Sequence, residues 1–557
     1  MSSSLHIFKL KISRTISRAL FLLANGLLVL GLASSAHAQH QRGVVWEIPQ
    51  DFREAAGDLL EMHEVGIEAV RTTMVFDDGL LSLADSLGLV LYRELPFRSL
   101  TGRSLRDSLA VADSLVLLLL ETGSGHSSAG PVGLTQFSDT SSDVACDELE
   151  RMASLIRETG GESYYITSFV EDDRCHDRMD FVLLDALEEE DPFGKLGEWR
   201  ERHETRAGLA RIGLHVEKDA RSGFEIEGSP EAQARFFETA FNQTEATDGR
   251  TVFFIHRWRD ESGTGQHVPD PFARQYGLYT VDSDPRPALQ VVRGMFLGLQ
   301  TTFAFDRGVQ EEDSLPWFSL LGWLLLALTA LMYAASPRFR SMIPRYFFAH
   351  GFFRNAVREA REVLPLTSTA ILTITGLSIG LIGSFVIKSL QETDLVLHLF
   401  QVLSQTARVS VTSTLGAPFI LAILMGSIAL IAMSLWMGLW MIVSGRRVPL
   451  LPSQALMLAV WPRWQVLFLL PLAMTLAAAE SVPIWAVILL AAGWLGAAYW
   501  STARTAYDLF KITSIQMGWA FAVWLLNPLI FGSVVLFGWA VLNADDASFV
   551  WHLMVRH

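Results

Sequence analysis

The chain has 557 residues, half of them hydrophobic, and a net charge of −15. That length leaves room for several domains, and the apolar share fits a protein that is partly membrane-embedded. The charge is uneven: fourteen Lys and Arg face eight Asp and Glu from Trp317 onward, whereas the stretch between Arg18 and Trp317 holds 26 basic against 51 acidic residues. A surface that acidic repels a phosphate backbone, which argues against nucleic acid as a partner.

Lys9, Lys11, Arg14 and Arg18 precede an apolar run from Ala19 to Leu32, and Ala36-His37-Ala38 supplies an A-x-A cleavage pattern. Residues 1–38 therefore read as a secretory signal peptide, with an uncleaved signal anchor as the alternative. Either way the chain after Gln39 is expected outside the cytoplasm. Only Cys146 and Cys175 are present, both in the exported part. An oxidising compartment allows one disulfide between them; two residues make no framework and no metal site by spacing.

From residue 39 to 305 short apolar runs alternate with amphipathic stretches. The predicted strands are 43–48 (GVVWEI), 66–72 (GIEAVRT), 89–95 (LVLYREL), 131–137 (PVGLTQF), 163–169 (SYYITSF), 180–184 (DFVLL), 210–216 (ARIGLHV) and 251–258 (TVFFIHRW). Helical spacing falls between them, over 51–65, 78–87, 107–120, 143–159, 188–203, 230–241 and 287–298. Eight strands separated by helices predict an α/β fold, a (β/α)8 TIM barrel, with a doubly wound open sheet as the alternative. No Gly-rich phosphate loop follows the first strand, which counts against a dinucleotide site. No cofactor is expected. His176, with Asp172, Asp173 and Asp177 nearby, reads as a solvated acidic loop rather than a metal site.

Two stretches carry a family resemblance. GIEAVRTTMVFDDGLLSLADSLGLVLYRELPF (66–97) and FFIHRWRDES (253–262) with YGLYTVDSDPRPALQVV (276–292) resemble the clan-A glycoside hydrolases of the β-galactosidase and β-glucuronidase type. Arg71, Asp85, Gly88, Glu94 and Pro96 take the places of that group's second and third strand units, and Trp258 that of the tryptophan flooring a sugar subsite. The resemblance implies a retaining mechanism with two carboxylates about 5–5.5 Å apart at the ends of strands four and seven. Glu217 takes the nucleophile's place, with Arg71 positioned to hold it ionised. Strand four ends in Gln136-Phe137-Ser138-Asp139 where the family has Asn-Glu, so Asp139, one methylene shorter, stands in for the acid/base. Lys218-Asp219 also departs from the small turn expected after the nucleophile. Arg71, Glu94, His215, Trp258 and Trp46 are the expected substrate-binding residues. Further strand-end polar residues are Glu47, Arg93, Glu171, Asp185, Arg257 and Asp260.

Residues 306–316 form a short polar linker, and 317–557 an all-α six-span transmembrane domain. The spans are read as 317–336, 365–387, 417–443, 464–479, 482–500 and 518–542. Arg338, Arg340, Arg345, Arg354, Arg358 and Arg361 fill the first loop, Arg446 and Arg447 follow the third span, and Arg504 and Lys511 the fifth. Positive-inside logic puts all three basic loops in the cytoplasm and the barrel in the periplasm or exterior. Arg463 reads as an interfacial residue, Arg504 and Asp508 as an i,i+4 pair, and no intramembrane acid–base relay is visible.

The expectation is therefore a cytoplasmic-membrane, multi-pass protein whose glycoside hydrolase-like barrel binds a glycan with weak or lost hydrolysis, a pseudoenzyme. The alternatives are an active retaining glycosidase and a component of a transport or envelope-assembly complex. Expected partners are a glycan or oligosaccharide, the lipid bilayer and other membrane proteins.

Overall fold

The computed structural model describes residues 41–75, 77–217, 220–244, 251–260, 275–309, 316–361, 363–391, 393, 395–396, 405–444, 449–479 and 482–555. The expected signal peptide, Lys218-Asp219, Arg446, Arg447 and most of the expected linker lie outside them. The chain forms two compact units that meet in sequence near residue 310.

The first unit is a closed barrel of eight parallel strands in sequence order, β1 (Gln41–Val45), β2 (Ala69–Thr73), β3 (Val90–Glu94), β4 (Ala129–Gln136), β5 (Ser163–Thr167), β6 (Phe181–Leu187), β7 (Ala207–Gly213) and β8 (Val252–Ile255). Closure comes from β1 pairing with β8, so the open-sheet alternative is set aside. Helices α1 (Phe52–Val65), α2 (Asp78–Leu87), α3 (Gly102–Asp107), α4 (Leu109–Gly123), α5 (Asp143–Glu158), α6 (Pro192–Arg202), α7 (Pro230–Thr244) and α8 (Pro287–Phe296) connect and cover the strands. Punctuation in the sequence sets several boundaries. Asp51 and Asp77 cap α1 and α2 through their side chains, and Gly66 and Gly88 end them in the left-handed conformation.

Strand alternation sorts residues into two cores. Val44, Val70, Leu91, Leu134, Tyr165, Val182, Leu209 and Phe253 face the helices, while Ala69, Tyr92, Tyr164, Ile166, Phe181, Leu183 and Phe254 fill the barrel. Tyr92 meets Phe254 edge-on at 5.0 Å, and Tyr164 stacks on Phe181 at 5.1 Å. These rings make the lower barrel a packed core rather than a pore.

Several boundaries differ from expectation, some with consequences for the site. β7 begins and ends three residues earlier than read, because Ala207 and Leu209 already supply the apolar alternation. β6 runs three residues further, to Leu187, and α6 starts only at Pro192, capped by Asp191. The helix expected over 107–120 is two helices broken at Ser108.

Among the described residues of the second unit, five helical stretches are long and apolar enough to cross a membrane: Trp317–Ala335, Pro365–Leu390, Pro418–Ser444, Pro452–Ala477 and Ile484–Thr513. Met517–Leu525 and Pro528–Leu542 join them as a sixth only if a pair bent by 77° counts as one span. The fourth span begins twelve residues before the expected one, so Arg463 lies inside it rather than at its end. Arg463 is buried, donates to the Ala459 carbonyl and lies 4.9 Å from the Trp436 ring centroid. Asp508 has the expected neighbour Arg504 at 3.9 Å, but its nearest partner is His350, whose Nε2 sits 2.8 Å from the buried carboxylate. His350 Nδ1 is 3.0 Å from the Tyr346 carbonyl, which can only accept, so Nδ1 is the donor of that contact. This buried acid–base pair was not foreseen from sequence.

The bent pair gives the topology a direct test. A reporter active only outside the cytoplasm, fused after His557, is expected to be active; an expressed but inactive fusion would mean an odd number of crossings.

Candidate functional site

The strands' C-terminal ends form the barrel mouth, the rim from which the loops of such a fold build a site. Its floor is a charged layer above the aromatic core. Arg71, at the middle of β2, donates to Glu94 at the end of β3 over 2.9 Å, and both side chains are about 95% buried. Glu94 also accepts from Gln136 Nε2 at 2.7 Å and from the Tyr164 hydroxyl at 3.0 Å. Gly133 makes room for this cluster: a Cβ there would lie 2.8 Å from both Glu94 Cγ and the Tyr164 ring. Burial, then the Glu94 charge, pushes the Tyr164 phenol well above its usual range, so it stays a donor.

A second pair stands beside the first. Arg211 grips Asp185 bidentately, at 2.6 and 2.8 Å. A bulge makes this possible: Leu184 pairs with Leu209 but Asp185 pairs with Arg211, so β7 carries one extra residue. Ala210 therefore joins the barrel interior and Arg211 follows it inward. The Arg211 guanidinium lies 4.5 Å from the Phe137 ring centroid, and Arg98 lies 5.3 Å from the same ring. His256, at the end of β8, is buried among Arg257, Arg211 and Arg71; burial first, then those cations, drives its pKa well below the ordinary value and keeps it neutral.

Above this floor sits a third group. Glu188, just beyond β6, accepts from the Tyr276 hydroxyl at 2.7 Å and lies 2.8 Å from His215 Nδ1. Phe137 and Glu188 both adopt positive φ, 54° and 62°. A left-handed conformation at a non-glycine residue costs on the order of 1–3 kcal/mol, and such residues cluster at functional sites.

The expected residues divide. Arg71 and Glu94 come together as a buried pair, and His215 joins Glu188. Asp139 is buried and accepts from Ser141 at 2.6 Å. Glu217 is exposed, four residues past the corrected end of β7, with its backbone N–H on the Gly228 carbonyl at 2.8 Å. Trp46 and Trp258 are 2% and 0% exposed and belong to the helix-facing core, so neither offers a free stacking face. Alternation explains Trp46: it follows Val45 onto the outward side, where its indole donates to Asp58 on α1 at 3.0 Å. Trp258 packs on Tyr279 with centroids 5.1 Å apart. Arg93 also points outward, to the Leu119 carbonyl, and Asp260 is latched to Arg286.

Arg211, Glu188, His256 and Tyr276 were not singled out. A bulge, a strand three residues longer than read and the return of residues 275–279 to the rim bring them in. Only the polar residues interrupting apolar runs hinted at this.

Cys146 and Cys175 form a disulfide that ties α5 to the β5–β6 loop. Next to it Asp173 accepts from Tyr165 at 2.8 Å and from the Cys175 N–H at 2.8 Å, while burial raises its pKa to about 6. At the other end of the barrel, where Asp180 and Arg206 precede β6 and β7, lies an open cleft of about 490 Å³ lined by His176 and His203. Its charged residues are largely paired with neighbours, Asp180 with Arg157 and Arg206 with Glu162.

No family model and no curated protein matches this sequence. Solved structures similar to it include a GH2 β-galacturonidase from Eisenbergiella tayi bound to galacturonate (17% identity, TM-score 0.42, 47% of this chain and 52% of that one). Others are a β-glucuronidase from an uncultured Clostridium sp. (16%, TM-score 0.41, 46% and 50%) and one from Ruminococcus gnavus in complex with D-glucaro 1,5-lactone (15%, TM-score 0.41, 46% and 50%). This chain spans about half the length of each.

Two variants test the site's construction. Arg71→Met leaves the Glu94 carboxylate buried without its cation, a loss of about 3–5 kcal/mol; hydrogen exchange at the β2 and β3 amides of the full chain is expected to accelerate sharply, and unchanged protection would refute the pairing. For Asp173 the folded pKa of about 6 exceeds the ordinary 3.8, so its contribution is full below pH 3.8 and lost as pH rises through 6. The two-unit gap corresponds to roughly 3 kcal/mol. Asp173→Asn is expected to flatten the stability profile between those pH values; an unaltered slope would assign it elsewhere.

Proposed function

We propose that the protein is a membrane-tethered, glycoside hydrolase-like barrel that binds a glycan outside the cytoplasmic membrane, with weak or lost hydrolysis. One observation carries the reading: the carboxylates described at the mouth are already engaged. Glu94 is held by Arg71, Gln136 and Tyr164, Asp185 by Arg211, and Glu188 by His215 and Tyr276. Carboxylates whose oxygens are already held by cations, an amide and hydroxyls have little capacity left to act as nucleophile or acid/base, and the donors gathered around them suit sugar hydroxyls. Retaining hydrolysis needs one carboxyl group that keeps its proton and a second that attacks.

Should turnover occur, Glu217 would be the nucleophile and Asp139 the acid/base. Their settings argue for slow chemistry: Glu217 is solvated, whereas Asp139 is buried on a shorter side chain, and a misplacement near 1 Å can cost about 10²-fold. The unit after Trp317 would anchor the barrel and assemble with other membrane proteins.

The two readings separate cleanly. On a glycan array the full chain in detergent is expected to retain a binder, and Glu217→Gln to bind it equally well. A mechanism-based glycosidase probe is expected to leave Glu217 unlabelled; labelling with turnover of an aryl glycoside would make it an active hydrolase instead.

A further inference from the structure

The second unit carries a charge imbalance inside its own packing. After the first candidate span come two short helices, Pro337–Phe348 and His350–Arg358. From Pro337 to Arg358 the sequence has five arginines and no acidic residue. The apolar sides of the two helices dock within the unit: Phe339, Tyr346 and Phe353 pack in one cluster with Trp440, Trp461 and Leu509, which come from the third, fourth and fifth candidate spans. That docking brings His350 and Arg354 to Asp508 on the fifth span.

Asp508 does not neutralise what surrounds it. Its side chain is 1% exposed and is engaged by His350 at 2.8 Å. Arg354 and Arg504 come no nearer than 4.0 and 3.9 Å, each through Nε, so neither guanidinium hydrogen-bonds to the carboxylate. Arg354 lies 5.5 Å from the Tyr507 ring centroid, and both arginines stay partly exposed. Tyr346 connects them to Arg463. Burial, then the Asp508 charge, push its phenol above the usual range, while Arg504 and Arg463 pull it back. Arg463 itself is buried, with the Ala459 carbonyl, the Thr505 hydroxyl at 3.5 Å and the Trp436 ring beside it. Among the described residues, Asp508 is the one carboxylate within 4.0 Å of any of these three arginines. Three positive charges face one negative, an excess of two.

We propose that Arg354 and Arg504, backed by Arg463, hold the phosphate group of an anionic ligand, carried either by a lipid headgroup or by a soluble phosphate compound. Cations gathered in a low-dielectric setting without as many anions are costly, and a bound anion removes that cost. The guanidinium fork matches phosphate oxygens two at a time. His350 keeps the Asp508 carboxylate occupied, which limits its competition for the same two forks. Arginines that serve only to orient a membrane protein need no such surroundings; Arg338 and Arg340, on the same stretch, are simply exposed.

The test uses the full chain in detergent and has two arms. In one, native mass spectrometry compares retention of phosphatidylglycerol with that of phosphatidylcholine; in the other, inorganic phosphate is titrated calorimetrically. Arg354→Gln and Arg504→Gln are each expected to weaken binding by about 10-fold. Arg338→Gln and Arg340→Gln remove the same charge from the exposed part of the same stretch and are expected to leave it unchanged. Asp508→Asn removes the competing charge and is expected to tighten binding, a change that misfolding does not imitate. This pattern with phosphatidylglycerol assigns a lipid headgroup, and with inorganic phosphate a soluble compound. Equal losses in all four arginine variants overturn the proposal, as does weaker binding by Asp508→Asn. So does the absence of phosphate binding together with equal retention of the two lipids.

Discussion

The buried pair between Arg71 and Glu94 is the constraint around which the barrel's upper half is built. Two opposite charges inside a barrel are tolerable only if their remaining hydrogen-bonding capacity is met. The neighbouring strands meet much of that need. β4 gives the Gln136 amide and, at Gly133, the missing side chain that lets the cluster close; β5 gives the Tyr164 hydroxyl, kept protonated by its burial and then by the carboxylate it serves. Below the pair lies an aromatic core and above it a polar mouth. The pair marks the level at which the barrel's hydrophobic interior gives way to a polar rim.

The second layer repeats the solution with different parts. Arg211 enters only because β7 bulges, and its partner Asp185 is inward only because β6 continues past the point where its apolar run ends. The mouth thus holds two internally neutral ion pairs, a neutral His256 and a Glu188–His215–Tyr276 cluster. Such a surface presents many fixed donors and acceptors.

The architecture was legible in the sequence because it rests on periodicity and punctuation. Eight strand runs appeared in the right order, and capping Asp and terminal Gly residues marked helix ends. Arg71 and Glu94 were placed through the resemblance carried by residues 66–97, and strand alternation turns both inward. What could not be read was phase. A shift of three residues at β7 moved Glu217 from a strand end into an exposed loop position, and the bulge beside it brought in Arg211 unannounced. Trp46 and Trp258 mislead for a related reason: a tryptophan beside a rim suits sugar stacking by composition, yet the outward side of a strand end belongs to the helix layer. In the second unit composition located the spans, but Arg463 falls mid-span and the His350–Asp508 pair joins residues 158 positions apart, beyond the reach of local pattern.

The central claim is that the mouth holds the ligand. Hydrogen exchange on the full chain, with and without the strongest saccharide binder, tests it most directly. The account predicts new protection at the rim amides, around Phe137, Glu188, His215 and Tyr276. Protection confined to the cleft around His176 and His203 at the barrel's opposite end would contradict it.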